Sequence, residues 1–328
     1  MTERNYNIDF IKALAIISVI LIHGLSHDSL YAILAPYYIW QTVPVFMILV
    51  GFNSANSFMK KDYDRLSEIF NQHYIMNKAK RILLPFTFIW LAQVLIQFFY
   101  FDNTNIAELF RSFLEGGYGP GSYFVPLIVQ ATLLIPFIYL ILKKQPTKMM
   151  VVLFFVSLLI DLSSTWLDMS DELYRILIIR HVFSVTLGIW YALVKPKLKV
   201  RWLVLPAAFS LGYITAVHYF NWELIIEEYW HSQHAPSYFY VLFIIIIGME
   251  FLKIKKQSFL EKTFILIGQA SFHIYLTQMF YFWFVHKRLP DFNGFVYISL
   301  FLLIPIISGI GFYYLDNYLN KKLSHQIK

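Results

Sequence analysis

The sequence predicts an all-α fold: a polytopic transmembrane helix bundle of about ten spans, with both termini on the cytoplasmic side. Three observations carry this reading. The 328 residues are 58% hydrophobic and only 14% charged, whereas soluble domains run nearer about 45–50% apolar and about 25% charged. The apolar residues fall into stretches of roughly twenty, the length a helix needs to cross a bilayer. The basic residues are distributed unevenly between the loops that alternate along the chain.

Hydropathy puts the spans at 8–27, 38–58, 82–101, 123–142, 149–167, 176–194, 202–219, 236–252, 263–283 and 295–315. With the N-terminus inside, the inner segments hold 21 of the 27 Lys and Arg residues. The outer segments hold Arg111, Arg175, Lys287 and Arg288, while Lys12 and Arg180 lie within spans. Basic residues in short loops are retained on the cytoplasmic side, so this asymmetry orients the chain N-in and C-in. Acidic residues fall the other way: Asp28, Asp102, Glu108, Glu115, Asp168, Asp171, Glu172, Glu223, Glu227, Glu228 and Asp291 are expected outside.

No long hydrophilic stretch interrupts the pattern, so residues 1–328 count as a single membrane-embedded domain. The net charge of +7 follows from topology and gives no reason to invoke nucleic acid. The absence of cysteine excludes disulfides, thiolate metal ligands and a cysteine nucleophile. The histidines are scattered, and neither HExxH nor HxxEH occurs, so no metal site is expected. The N-terminal apolar stretch is expected to be a span rather than a cleaved signal, because Lys12 interrupts it and no small-residue cleavage pattern follows.

The first span, Ile8–Leu25, contains Asp9, Lys12 and His23. Ionisable groups in a span are costly to bury in lipid, and usually face a bundle interior or a wet cavity. Lys12 and His23 are eleven residues apart, close to three helical turns, so they project from one face about 16 Å apart along the axis. Asp9 precedes Lys12 by three residues and is placed to pair with it. Histidine exchanges a proton near neutral pH, as general base catalysis on a hydroxyl requires. An inter-helix hydrogen bond for His23 and an interfacial pair for Asp9 and Lys12 is the structural alternative. Further polar groups fall in later spans: Asp161, Arg180, His181, Glu250, Ser271, His273, Thr277 and Gln278. Arg180 stands out, because a guanidinium cannot shed its charge by deprotonation.

Three loops carry further signals. The inner loop 59–81 ends in Lys78, Lys80 and Arg81, either a lipid head-group anchor or a docking surface for the phosphates of a nucleotide-bearing substrate. No Gly-rich phosphate loop occurs anywhere. The outer loop 102–122 runs into EGGYGPGSYF (Glu115–Phe124), whose Gly and Pro residues specify turns. Tyr118, Tyr123 and Phe124 there suit either stacking on a sugar or an interfacial aromatic belt. The outer segment Asn221–Pro236 mixes Trp222, Tyr229, Trp230, His231 and His234 with Glu223, Glu227 and Glu228, and allows the same two readings.

Taken together, these segments resemble the acyltransferase-3 family of bacterial membrane proteins. NIDFIKALAIISVILIHG resembles its first span, and VPVFMILVGF (Val43–Phe52) its phenylalanine-rich second. KAKRILLPF (Lys78–Phe86) resembles the Arg-x-x-x-Pro start of its third span. GSYFVPLIVQATLLIPFI and IGQASFHIYLTQMFYF resemble its later blocks. Departures are Lys12 for the usual Arg, Val50 for Ser, Tyr123 for Trp and Gln278 for His. The resemblance is to the stand-alone type, so no fused hydrolase-like domain is expected.

The resemblance implies an O-acyltransferase in the bacterial cytoplasmic membrane. It would move an acyl group, most simply acetyl, from cytoplasmic acyl-CoA to a hydroxyl of a cell-surface or lipid-linked glycan. It implies His23 as the central catalytic residue, assisted by Asp9 and Lys12. Lys78, Lys80, Arg81 and Arg180 would hold the acyl-CoA (acetyl-CoA) phosphates or offset developing negative charge. Tyr123, His273 and Tyr275 would line the substrate site. His23 would either deprotonate the acceptor hydroxyl or carry the acyl group transiently. Partners would be the lipid bilayer, acyl-CoA and the glycan acceptor, with a homodimer allowed. A glycolipid transporter or flippase without acyl transfer, or a non-catalytic assembly component, remains the rival reading of the same spans.

Overall fold

The structure, a computed structural model, is built from helices, and no strand occurs among the described residues. It describes residues 5–167, 169–195, 198–220, 222, 233–289 and 294–326. Asp168, Glu223, Glu227, Glu228, Asp291, Tyr229, Trp230 and His231 therefore lie outside the described residues.

Among the described residues, seven helices are long and apolar enough to cross a membrane: Tyr6–Gly24, Ala35–Lys60, Gln72–Tyr100, Phe124–Lys144, Pro146–Ser164, Arg201–Tyr219 and Gly294–Lys322. Two shorter apolar helices, Ile178–Val194 and Ala235–Phe251, occupy the sixth and eighth predicted spans. The ninth span is interrupted. It comprises Phe259–Gln269, Ser271–Phe280 and a π turn at Tyr281–Val285. The protein is thus an all-α, multi-pass membrane protein.

Two compact units organise the chain. The first joins Met1–Ser26, Lys78–Val125 and Lys253–Lys328; the second joins His27–Asn77 and Pro126–Leu252.

In the first unit, the opening helix (Tyr6–Gly24) starts at Asn5, whose side chain accepts the Asn7 N–H at 3.0 Å. This helix crosses the 259–269 helix at Gly268, where an added Cβ would lie 1.8 Å from the Asp9 carbonyl oxygen. Small residues allow such backbone contact between membrane helices. A capping box of Ser258 and Glu261 starts the 259–269 helix. The Glu261 carboxylate accepts the N–H groups of Gln257 at 2.8 Å and Ser258 at 3.0 Å. Farther along, the Thr277 hydroxyl donates to the Pro305 carbonyl at 3.0 Å, tying the 271–280 helix to the last one (Gly294–Gln326).

The helix Gln72–Tyr100 corrects the expected loop 59–81. It begins ten residues before the predicted span, because nothing from Gln72 to Leu84 breaks a helix. Lys78, Lys80 and Arg81 therefore sit on helical turns. Pro85 continues this helix but supplies no N–H to the Arg81 carbonyl one turn back.

In the second unit, Val182–Val194 packs against Thr42–Lys60 through a glycine on each side. A Cβ at Gly188 would lie 2.0 Å from the Ile48 carbonyl oxygen, and one at Gly51 2.4 Å from that of Val185.

Candidate functional site

The first helix places its charged groups as helical periodicity predicts. The Lys12 ammonium lies 3.0 Å from Asp9 Oδ1, with the Asp9 side chain almost fully buried and Lys12 partly exposed. Three turns on, the His23 imidazole is half-buried and packs edge-on against Phe282, with ring centroids 5.9 Å apart. Phe282 belongs to the π turn 281–285, a helical irregularity found frequently at functional sites.

The glycine-rich loop reaches this histidine. Four of its residues, Gly116, Gly117, Gly119 and Gly121, have positive φ, so the segment is a chain of turns as the composition predicts. Gln93 on the long helix clamps it from one side. Its amide donates to the Tyr118 carbonyl at 2.6 Å and accepts the Tyr118 N–H at 3.0 Å. From the other side, Tyr118 stacks on Trp283, with centroids 5.4 Å apart and an interplanar angle of 20°. Gly119 lies flat on the next segment: a Cβ there would meet the Met279 carbonyl oxygen at 2.5 Å.

These restraints fix Gly121. Its carbonyl accepts the Tyr275 hydroxyl at 2.9 Å. The space its missing side chain leaves is bounded by His23 Nε2 at 3.6 Å, the Tyr275 ring edge at 3.6 Å and the Gln278 amide nitrogen at 3.8 Å. Three separate stretches thus converge on one small gap: the end of the first helix, the glycine loop and the 271–280 helix. Replacing Gln93 with leucine should cost about 2–3 kcal/mol, since it removes two hydrogen bonds and strands part-buried backbone groups of Tyr118. Thermal unfolding of the purified variant in lipid nanodiscs measures this, and a stability equal to wild type would contradict the clamp.

Other expected site residues are placed as follows. Tyr123 is half-buried beside Phe124, whose ring meets Tyr275 edge-on with centroids 5.1 Å apart. His273 is engaged elsewhere: its Nε2 lies 3.1 Å from Asp316 Oδ2, in a buried pair extended by Asn320, which donates to Asp316 Oδ1 at 3.0 Å. Lys78 is half-buried on the long helix, with Lys80 and Arg81 exposed beside it. Arg180 belongs to the second unit and is almost fully buried there. Its guanidinium lies 5.7 Å over the Tyr174 ring. The Tyr174 hydroxyl donates to Asp161 Oδ1 at 3.1 Å, and the Ala235 N–H donates to Asp161 Oδ2 at 3.2 Å. Cation, ring and carboxylate form one buried polar cluster.

Sequence reading assigned no role to Gly121, Gln278 or Asp316. The signal for Gly121 was present in the Gly-Pro-Gly run. For Asp316, which meets His273 across 43 residues, no local pattern exists.

A second feature of the first unit is an open cleft of about 650 Å³ lined by Gln97, Tyr100, Phe101, Asn103, Trp283, Lys287 and Arg288. Arg288 is held over Phe284 and Tyr100, at 3.9 and 4.7 Å from the ring centroids. The adjoining His286 is held below the ordinary imidazole pKa by burial. Trp283 connects this cleft to the His23 site through its stack on Tyr118.

A histidine, an amide and an aromatic ring thus surround a methyl-sized gap within a helical membrane domain. The chain belongs to the acyltransferase-3 family: the family model for this acyltransferase domain matches residues 5–314, which run through both units. No curated protein and no solved structure matches it. The protein is a membrane acyltransferase.

Proposed function

We propose that this enzyme transfers an acyl group, acetyl in the simplest case, from cytoplasmic acyl-CoA to a glycan hydroxyl on the far side of a bacterial cytoplasmic membrane. The observation that carries the proposal is the gap at Gly121, which lies within 3.6 Å of His23 Nε2. An imidazole at that position can take the proton of an acceptor hydroxyl as its oxygen adds to a thioester carbonyl. It can also accept the acyl group itself before passing it on. The Asp9–Lys12 pair at the other end of the same helix supports donor binding on the cytoplasmic side, and the basic residues Lys78, Lys80 and Arg81 suit the donor's phosphates.

The cleft beside Trp283 supports a saccharide as acceptor. Aromatic faces take the apolar faces of sugar rings, and Gln97 and Asn103 offer paired donors and acceptors to hydroxyls. Lys287 and Arg288 are two of only four basic residues expected outside. Their presence there runs against the orientation bias, so a binding role accounts for them better than topology does.

The test is transfer of labelled acetyl from acetyl-CoA in membranes containing the protein. Label in a glycan or lipid-linked glycan fraction is the expected result. Absence of transfer from any acyl-CoA, with an acceptor pool present and the protein folded, would sink the proposal in favour of a transport role.

A further inference from the structure

Gln278 is the residue nearest the His23 gap whose state the fold leaves unexplained. Its side chain is fully buried, and neither its amide nitrogen nor its amide oxygen has a hydrogen-bond partner. A buried primary amide left in that state is costly, and such groups in native structures call for a reason. The backbone supplies no reason here, because the residue lies within the regular helix Ser271–Phe280. Its amide nitrogen lies 3.8 Å from the point a Gly121 Cβ would occupy, and His23 Nε2 lies 3.6 Å from the same point. The unsatisfied donor and the imidazole therefore border one space, and Gly121, with φ of +85°, keeps that space open.

We infer that Gln278 holds the carbonyl oxygen of the acyl group during transfer, which deepens the acyltransferase reading above and rests on it. In the step, the acceptor O–H bond breaks and its proton passes to His23 Nε2. The acceptor oxygen bonds to the thioester carbon, and the carbonyl electron pair moves onto the carbonyl oxygen. The Gln278 N–H donates to that oxyanion. Collapse restores the carbonyl, breaks the carbon–sulfur bond, and the leaving thiolate takes the proton back from His23. An amide suits this role because it donates a hydrogen bond without ionising. The chemistry asked of Gln278 is the same if the attacking atom is His23 itself.

The test compares wild type with Gln278→Met and Gln278→Glu, each as the full chain in nanodiscs, by acetyl transfer from acetyl-CoA and by thermal unfolding. Met keeps the length of the side chain and removes both polar atoms. The expected result is a fall in kcat of about 10²–10³-fold for Gln278→Met, the usual loss for one oxyanion donor. KM for acetyl-CoA should stay within about threefold, and the unfolding temperature should be unchanged or higher, because an unpaired amide has left the interior. Gln278→Glu should lose at least as much, since an anion replaces the donor. An active wild type with kcat unaffected by Gln278→Met would overturn the proposal. So would a kcat loss that merely follows a lower unfolding temperature, the mark of a structural role. A wild type that transfers nothing overturns the acyltransferase reading itself, and this inference with it.

Discussion

Replacing His23 with alanine should lower acyl transfer by at least 10²–10⁴-fold, the range a positioned general base contributes. The larger end follows if the imidazole also carries the acyl group. The three atoms nearest the Gly121 gap belong to His23, Tyr275 and Gln278, and the Tyr275 hydroxyl donates to the Gly121 carbonyl. Stability should change little, since the imidazole is only half-buried. The discriminating measurement is turnover set beside thermal unfolding in the same nanodisc preparation. Retained turnover in a folded His23→Ala protein would remove the histidine from the chemistry altogether.

The second large effect is one of packing. Gly268→Ala should destabilise the protein by about 3 kcal/mol or more, at or above the usual range for overpacking. The added methyl would lie 1.8 Å from the Asp9 carbonyl oxygen and 2.5 Å from its carbon, so the clash is with backbone and no side-chain rotation relieves it. The two helices must separate, and that shift would move the buried Asp9 and its partner Lys12 together. Gly212 provides the control, because an added Cβ there meets nothing within 4 Å. Gly212→Ala should be neutral, or stabilising by the modest propensity gain of about 0.5–1 kcal/mol in a helix interior. Thermal unfolding and the monodisperse yield after extraction test both variants. Equal behaviour of the two would refute the close crossing.

Much of the architecture was legible in the residues because lipid leaves a chain few choices. Backbone groups must pair within the segment, so an apolar run of about twenty residues becomes a helix. The spans whose helices run long match the predicted positions to within several residues, apart from the early start at Gln72 and the late end of the last helix at Gln326. The Asp9–Lys12 pair was equally legible, because a spacing of three fixes it within one helix. The break after Gln269 was less so. Ala270 adopts φ −84° and ψ 1°, and nothing in GQASF by itself forbids a continuous helix.

The site was legible only in part, and the division is instructive. His23 was identifiable because an ionisable group within a span is costly wherever the span is placed. Tyr275 and the glycine loop were recognised separately, by resemblance and by composition, but their contact through the Gly121 carbonyl joins residues 154 apart. His273 and Thr277, four residues apart on one helical face, both turn to the last helix, His273 to Asp316 and Thr277 to Pro305.

The sequence alone determined that the chain is a multi-pass helical membrane protein, that its first helix bears a carboxylate–ammonium pair and a histidine on one stripe, and that a glycine-rich turn follows the third span. Those properties depend on hydropathy and on spacings of eleven residues or fewer, which local backbone geometry converts directly into position. Only the tertiary structure decided that Gly121, Tyr275 and Gln278 surround the His23 nitrogen, and that His273 is committed to Asp316. Which helix faces which depends on side-chain packing and on glycine contacts such as Gly268 against Asp9, and those are summed over residues far apart in the chain.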